Sequence, residues 1–314
     1  MDSLIYSLNA TVPVFLTIFI GYVLKRTGML NDAFVSVSNK FNFKITLPSL
    51  LFLDLAATDI YNNFDIKYVL FCAFTTVIIF FSIWGGARLF IKDKSIIGEF
   101  VQASYRSSAA ILGVAFILNI YGTSGMAPIM IIGCVPLFNI FAVIVLTVEG
   151  NTENGANAIK QSFISIIKNP IIISIIIGVI ASLLKLKLPT ILDKTIHNFS
   201  VMASPLALVA IGAGFEGKKA ISKIKPTIAA SFIKTMIIPA IFLPVAVKLG
   251  FRDQQLVALI IMLSSPATPS GYIMAKNMNH DGTLSSSVLV MTTLLSSFTI
   301  TLWIFLARFG GYIS

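Results

Sequence analysis

Residues 255–279 read QLVALIIMLSSPATPSGYIMAKNMN. The run Leu256–Leu263 is uninterrupted apolar sequence, Ser264-Ser265-Pro266-Ala267-Thr268-Pro269-Ser270-Gly271 interrupts it, and the apolar pattern then resumes. Pro266 and Pro269 each remove a backbone donor and strand carbonyls that a helix would have paired. Gly271 tolerates unwound backbone. In hydrocarbon such groups must face protein or a water-filled cavity. The spacing predicts a membrane helix broken over Pro266–Gly271 near the bilayer midplane, where carriers place their cargo sites. The competing reading is a proline kink with small residues for close helix packing.

The rest of the chain sets that stretch in context. Its 314 residues are 56% hydrophobic and only 11% charged, with mean hydropathy +0.91. An ordinary soluble domain carries about 25% charged residues, so a cytosolic or disordered chain is excluded. Ten apolar runs are legible: Leu4–Leu24, Phe41–Ala57, Ile66–Leu89, Gly98–Ile120, Met126–Val148, Ile164–Leu184, Ile191–Phe215, Pro226–Leu249, Gln254–Met274 and Thr283–Ala307. They have helix length, since barrel strands would be about half as long and would alternate. The first run does not read as a secretory signal: Asp2 precedes it, with no Lys or Arg. The net charge of +10 is scattered in ones and twos between the runs, so it carries topology rather than a nucleic-acid face. With the N-terminus outside, 14 Lys and Arg fall in inside loops and 7 in outside segments, which favours both termini outside. Cys72 and Cys134 lie within apolar runs and predict neither a disulfide framework nor a metal site.

The chain repeats at an offset of 157, half its length: Pro13 falls on Pro170, Gly21 on Gly178 and Pro48 on Pro205. Five runs per half is an odd number, so the second half enters the membrane inverted, the plan of secondary transporters. The expected fold is an all-α polytopic membrane protein, ten transmembrane helices in a 5+5 inverted repeat. Its units are residues 1–149, a short hydrophilic linker at 150–163 (within Glu149–Lys160, EGNTENGANAIK) and residues 164–314.

The fourth run, residues 98–122, reads GEFVQASYRSSAAILGVAFILNIYG and is the repeat partner of the ninth. Its centre is small and polar. The candidate cargo-binding residues are Arg106, Ser107, Ser108 and Gly113 here, and Ser265, Pro266, Thr268 and Gly271 in the ninth run. The first break is expected near Gly113–Ala115. Arg106 reads as a counter-charge for an anion, or as the partner of Glu99, or as a snorkelling side chain. Lys234 in the eighth run is similarly ambiguous. None of the 13 acids lies at the middle of runs four or nine, which favours an anion as cargo and speaks against a carboxylate relay opposite the crossover. His197 and His280 read as interfacial. No nucleophile elbow, HExxH, phosphate loop or paired carboxylate is present, so an enzyme and a cofactor are not expected.

These residues together resemble the auxin efflux carrier family in its short bacterial form, over nearly the whole chain. The resemblance rests on Lys168-Asn169-Pro170 with Gly178, on Arg106 to Gly113 followed by Tyr121-Gly122, and on Pro266, Ala275-Lys276 and the serine-rich start of run ten. The family usually has Asn at Ser108 and Pro at Ala115 and Gly271, and the long cytoplasmic loop of plant members is absent. The resemblance implies an elevator-type or rocking carrier, with runs four and nine crossing at midplane. Runs 1, 2, 6 and 7 would form a dimerising scaffold, and runs 3–5 and 8–10 a transport domain. It implies carboxylate cargo, either an auxin-like aromatic acid or a malate-like acid.

The expectation is therefore a secondary carrier of small organic anions in the cytoplasmic membrane, a homodimer without nucleic-acid partners. The alternative is a membrane sensor that binds the same anions without moving them.

Overall fold

The computed structural model describes residues 2–57, 65–109, 126–150, 164, 166–186 and 188–313, and among them it contains only helices. Helix α1 (Asp2–Arg26) is the first run. The second run is longer than expected. It begins as α2 (Asp32–Phe41), passes through a π-helical turn at Asn42–Thr46 and continues as α3 (Leu47–Ala56). Asn31 starts it, its side chain accepting from Phe34 N–H, a cap that polarity alone concealed. Helix α4 (Ile66–Phe90) is capped the same way by Asp65. Helix α5 (Ile97–Tyr105) holds the start of run four, and α6 (Ala127–Gly150) is run five.

The second half follows as α7 (Pro170–Leu183), α8 (Thr190–Ala213), the short α9 (Gly217–Ser222), α10 (Ile224–Phe232), α11 (Ile238–Lys248), α12 (Asp253–Ser264), α13 (Pro269–Asn277) and α14 (Thr283–Phe309). A second π-helical turn, Ile233–Ile237, joins α10 to α11. Helix α7 starts six residues later than its apolar run. Asn169 caps it and Pro170 occupies the first turn, where a missing N–H costs nothing.

Among the described residues five helical stretches are long and apolar enough to cross a bilayer: Ile66–Phe90, Ala127–Gly150, Thr190–Ala213, Ile224–Lys248 and Asp253–Asn277. A bent pair, Thr283–Ser296 with Phe298–Phe309, makes a sixth if taken as one span. Helix α7 has 14 residues, roughly 21 Å at 1.5 Å per residue, short of a hydrocarbon core of about 30 Å. The surface is apolar where a soluble protein would be polar: Phe74, Phe81, Phe298 and Phe305 are exposed, whereas Gln102, Arg106, Asn139 and Lys234 are buried. This inversion marks an integral membrane protein.

Two glycine contacts set the closest crossings. A Cβ at Gly212 of α8 would overlap the carbonyl oxygen of Ile18 on α1, and one at Gly21 would overlap that of Val209. Gly178 of α7 plays the same part on α3, where a Cβ would lie 3.1 Å from the Phe52 oxygen. Close backbone approach of this kind replaces the hydrophobic drive that lipid does not supply. Helices α1, α3, α7 and α8 pack on one another, while α4, α5 and α6 pack together and α6 also meets α12.

Candidate functional site

The break in the ninth run is set by its two prolines acting on the residues before them. A residue preceding proline is pushed out of the α region into extended backbone. Ser265, before Pro266, has φ −67° and ψ 158°. Thr268, before Pro269, has φ −101° and ψ 144°. Helix α12 therefore stops at Ser264, and α13 starts at Pro269, which sits in its first turn. The break covers Ser265–Thr268 rather than Pro266–Gly271. Gly271 is helical, and a Cβ there would lie 3.2 Å from Gln102 Oε1.

Run four also breaks within the described residues, earlier than expected. Helix α5 ends at Tyr105, and Arg106 is extended at φ −75° and ψ 138°. No proline or glycine stands there. The cause is tertiary: Ser108 N–H donates to the carbonyl of Pro266 at 2.9 Å, and Ser107 Oγ donates to that of Met262 at 2.6 Å. The broken segments thus supply hydrogen-bond partners to each other. Gln102 adds a third tie, its Nε2 donating to Gly271 O at 2.8 Å, and Ala267 N–H reaches Thr292 Oγ1 on α14 at 3.1 Å. The expected break at Gly113–Ala115 lies outside the described residues, as does the candidate Gly113.

Two buried cations serve this crossing. Lys234 does not snorkel. It is fully buried in the second π turn, and its Nζ donates to Tyr105 O at 3.3 Å and Leu263 O at 3.2 Å. Those carbonyls belong to the C-terminal ends of α5 and α12, each carrying the negative end of a helix dipole, where an ammonium is favourable. Arg106 is buried as well, and its guanidinium partners are neutral. It donates to Asn139 Oδ1 at 2.6 Å, Ser270 Oγ at 2.7 Å and Met274 Sδ at 2.9 Å. The alternative partner Glu99 is engaged elsewhere. Its carboxylate accepts from Gly282 N–H at 2.9 Å and Ser285 N–H at 2.8 Å, capping α14. His280 lies buried against Leu146 O rather than at an interface, whereas His197 is exposed.

Arg106 opens on a cavity of about 60 Å³ at the crossing. Of the sequence candidates, Arg106, Ser107, Ser108 and Thr268 line it. Ser265, Pro266 and Gly271 do not; they brace it from behind, and Ser265 is fully buried. Ser270, Asn139, Ser204 and Asp54 complete the polar lining and were missed. Asp54 corrects the acidic census. It sits on α3, outside runs four and nine, yet shares the cavity with Arg106, so a carboxylate does face the crossover. Ser204 had a signal in the sequence, since it falls 157 residues after Leu47, another lining residue. Asn139 had one too, as an amide within an apolar run.

The chain belongs to the membrane transport protein family, which matches residues 6–304 and includes auxin efflux carrier-like transporters. It is 22% identical over 301 residues to an uncharacterized transporter of Methanothermobacter thermautotrophicus, covering 95% of this chain and 97% of the relative. It is 24% identical to the uncharacterized transporter YfdV of Escherichia coli, covering 97% and 99%. A proposed malonate transporter of Rhizobium meliloti is 22% identical, over 96% of this chain and 95% of its own length.

Proposed function

We propose that this member of the family is a secondary carrier of small organic carboxylates, working by alternating access of an elevator type. The observation that carries the reading is Arg106: a buried guanidinium with neutral partners, opening on a cavity between two broken helices. A buried cation held only by neutral groups suits an anion that comes and goes. The N-terminal end of α13, at Thr268 and Pro269, adds a positive dipole end beside it.

The size of the cavity favours the smaller of the two expected cargoes. At about 60 Å³ the cavity is well below the roughly 300–1,000 Å³ typical of sites for drug-sized ligands. A malonate- or malate-like acid suits it better than an auxin-like aromatic acid, and the name of the Rhizobium relative points the same way.

The ten-span inverted repeat draws support from two correspondences. Gly21 and Gly178, 157 residues apart, each hold a close crossing, α1 on α8 and α7 on α3, and those pairs exchange under inversion. Helices α5 and α12 end at Tyr105 and Ser264, within two residues of the same offset. On this reading α1, α2–α3, α7 and α8 form a scaffold that dimerises, and the remaining helices move as the transport domain. The carrier lies in the cytoplasmic membrane with both termini outside, so a cytoplasm-only reporter fused after Ser314 stays silent.

Uptake of labelled malonate into liposomes holding the purified protein tests the function. The expected result is saturable flux that Arg106→Gln abolishes. Specific binding without flux would convert the carrier into a sensor, and flux unaffected by Arg106→Gln would place the site elsewhere.

A further inference from the structure

Asp54 on α3 lines the same cavity as Arg106 at the broken crossing. Both side chains border one small space, of about 60 Å³. A cargo whose carboxylate rests on Arg106 therefore brings its other end to Asp54. We propose that Asp54 sets the cargo class: a small acid with one carboxylate for Arg106 and, a few bonds away, a single O–H that donates to Asp54. The proposal rests on the reading of this cavity as the cargo site.

Each rival end group meets an obstacle at Asp54. A plain alkyl tail would strip water from a carboxylate and return no hydrogen bond. A second ionised carboxylate would lie against the first, and two such groups at close range do not both stay charged. An ammonium would pair with Asp54 as an ion but brings three donors. The α3 wall around Asp54 adds only Leu47, Leu50 and Leu51, so its other acceptors would have to come from the hydroxyls of Ser204, Thr268 or Ser270 across the cavity; the glycine arm of the test decides this case. One O–H needs one acceptor. A carboxylate has about four acceptor positions, so Asp54 can receive it beside the partner it already has.

Two kinds of acid carry this chemistry: a hydroxy acid, through its hydroxyl, and a dicarboxylic acid as its monoanion, through its protonated carboxyl. In the second case one proton is shared between Asp54 and the distal carboxyl. It arrives with the acid and leaves with it, so nothing is consumed.

Among the described residues, the other charged groups on the elements packed around this wall lie away from it. Helix α7, packed on α3, carries no titratable residue. On α8 Asp193, Lys194 and His197 are exposed, at least seven residues, roughly 10 Å, before Ser204. Lys44, in the turn before α3, is exposed. On α6 Glu149 is engaged at the far end with Trp84 and Arg88, and on α13 Lys276 is bonded to Asp281 O.

The test is equilibrium binding of glycolate, malonate, propionate and glycine to the purified full chain between pH 5.5 and 8. Wild-type protein is expected to bind glycolate, and malonate at the acid end, at least about tenfold more tightly than propionate. Binding of malonate weakens by about tenfold per pH unit once its second carboxyl ionises, and glycolate shows no such slope. Asp54→Ala erases the preference over propionate. Asp54→Asn, which can donate to a dianion, flattens the malonate slope. Preference for glycolate alone or malonate alone identifies the source of the O–H and supports the proposal.

Retention of both the preference and the slope in the Asp54 variants overturns it. So does glycine binding as tightly as glycolate, which would assign Asp54 to an ammonium. Failure of every acid to bind, or indifference to Arg106→Gln, would sink the cargo site itself; Arg106-dependent binding that ignores Asp54 would sink only this inference.

Discussion

Replacing Lys234 with methionine removes the ammonium from the crossing while keeping an unbranched chain of similar volume. The amine donates to Tyr105 O at 3.3 Å and Leu263 O at 3.2 Å, so two helix C-termini lose their cation together. Hydrogen bonds to charged groups contribute about 1.5–3 kcal/mol each. These two are long, so the lower figure applies and the loss is about 3 kcal/mol. Water cannot replace the amine, because the space around Tyr105, Lys234 and Leu263 has no free volume for it. Removing a buried ammonium also removes its desolvation cost, which would pull the other way. The two stranded carbonyl ends decide the sign, since each remains buried without a partner. At about 2 °C per kcal/mol for a chain this long, Lys234→Met should melt about 6 °C below wild type in detergent. Intrinsic fluorescence or dye-free thermal scanning measures it. A variant that melts at or above the wild-type temperature would refute the claim that Lys234 joins the two broken helices.

Four further outcomes are expected. Thr268→Leu fills the cavity and should abolish malonate flux with melting unchanged. Ser265→Leu, by contrast, overpacks a fully buried position and should lower stability by about 1–3 kcal/mol, read as a melting shift. Gly212→Leu places a side chain into the Ile18 backbone on α1, so a monodisperse gel-filtration peak at wild-type yield would contradict the described α1–α8 crossing. Outside the spans, partial burial pushes the Asp281 carboxyl up, but the Thr283 hydroxyl and the Lys223 ammonium at 3.4 Å outweigh it and hold it below the ordinary 3.8. A depressed carboxyl contributes stability above its unfolded value that disappears as pH falls through the folded one. Acid titration of melting temperature should show this loss in wild type and not in Asp281→Asn.

The ninth run was legible because its break is local. Two prolines constrain the residues before them, so the break begins one residue before Pro266 and ends at Thr268, and the larger difference, at Gly271, comes from weighing glycine above that rule. The fourth run was not legible to the same depth. Its chain leaves the helix at Arg106 because Ser107 and Ser108 find partners 155 and more residues away, which no window of sequence contains. The same applies to the cavity. Arg106 announced itself as a charge at depth, but Asn139, Ser270 and Asp54 reach it from three other helices. Asp54 lies on run two, far in sequence from runs four and nine, and a cavity is walled by whatever packs across it.

The clamp on Arg106 bears on entropy. A free arginine side chain has about 2 kcal/mol of rotamer freedom to lose. Asn139, Ser270 and Met274 have already taken it, so an arriving acid meets a guanidinium frozen in place. Three of its five N–H groups are engaged among the described residues, both hydrogens of Nη2 among them, which leaves Nε–H and one Nη1–H as donors. The same fixed dipoles of Asn139 and Ser270 solvate the charge when the cavity is empty. On the carrier reading, Asn139 acts on affinity twice over, by lining the cavity and by holding the guanidinium in its pose.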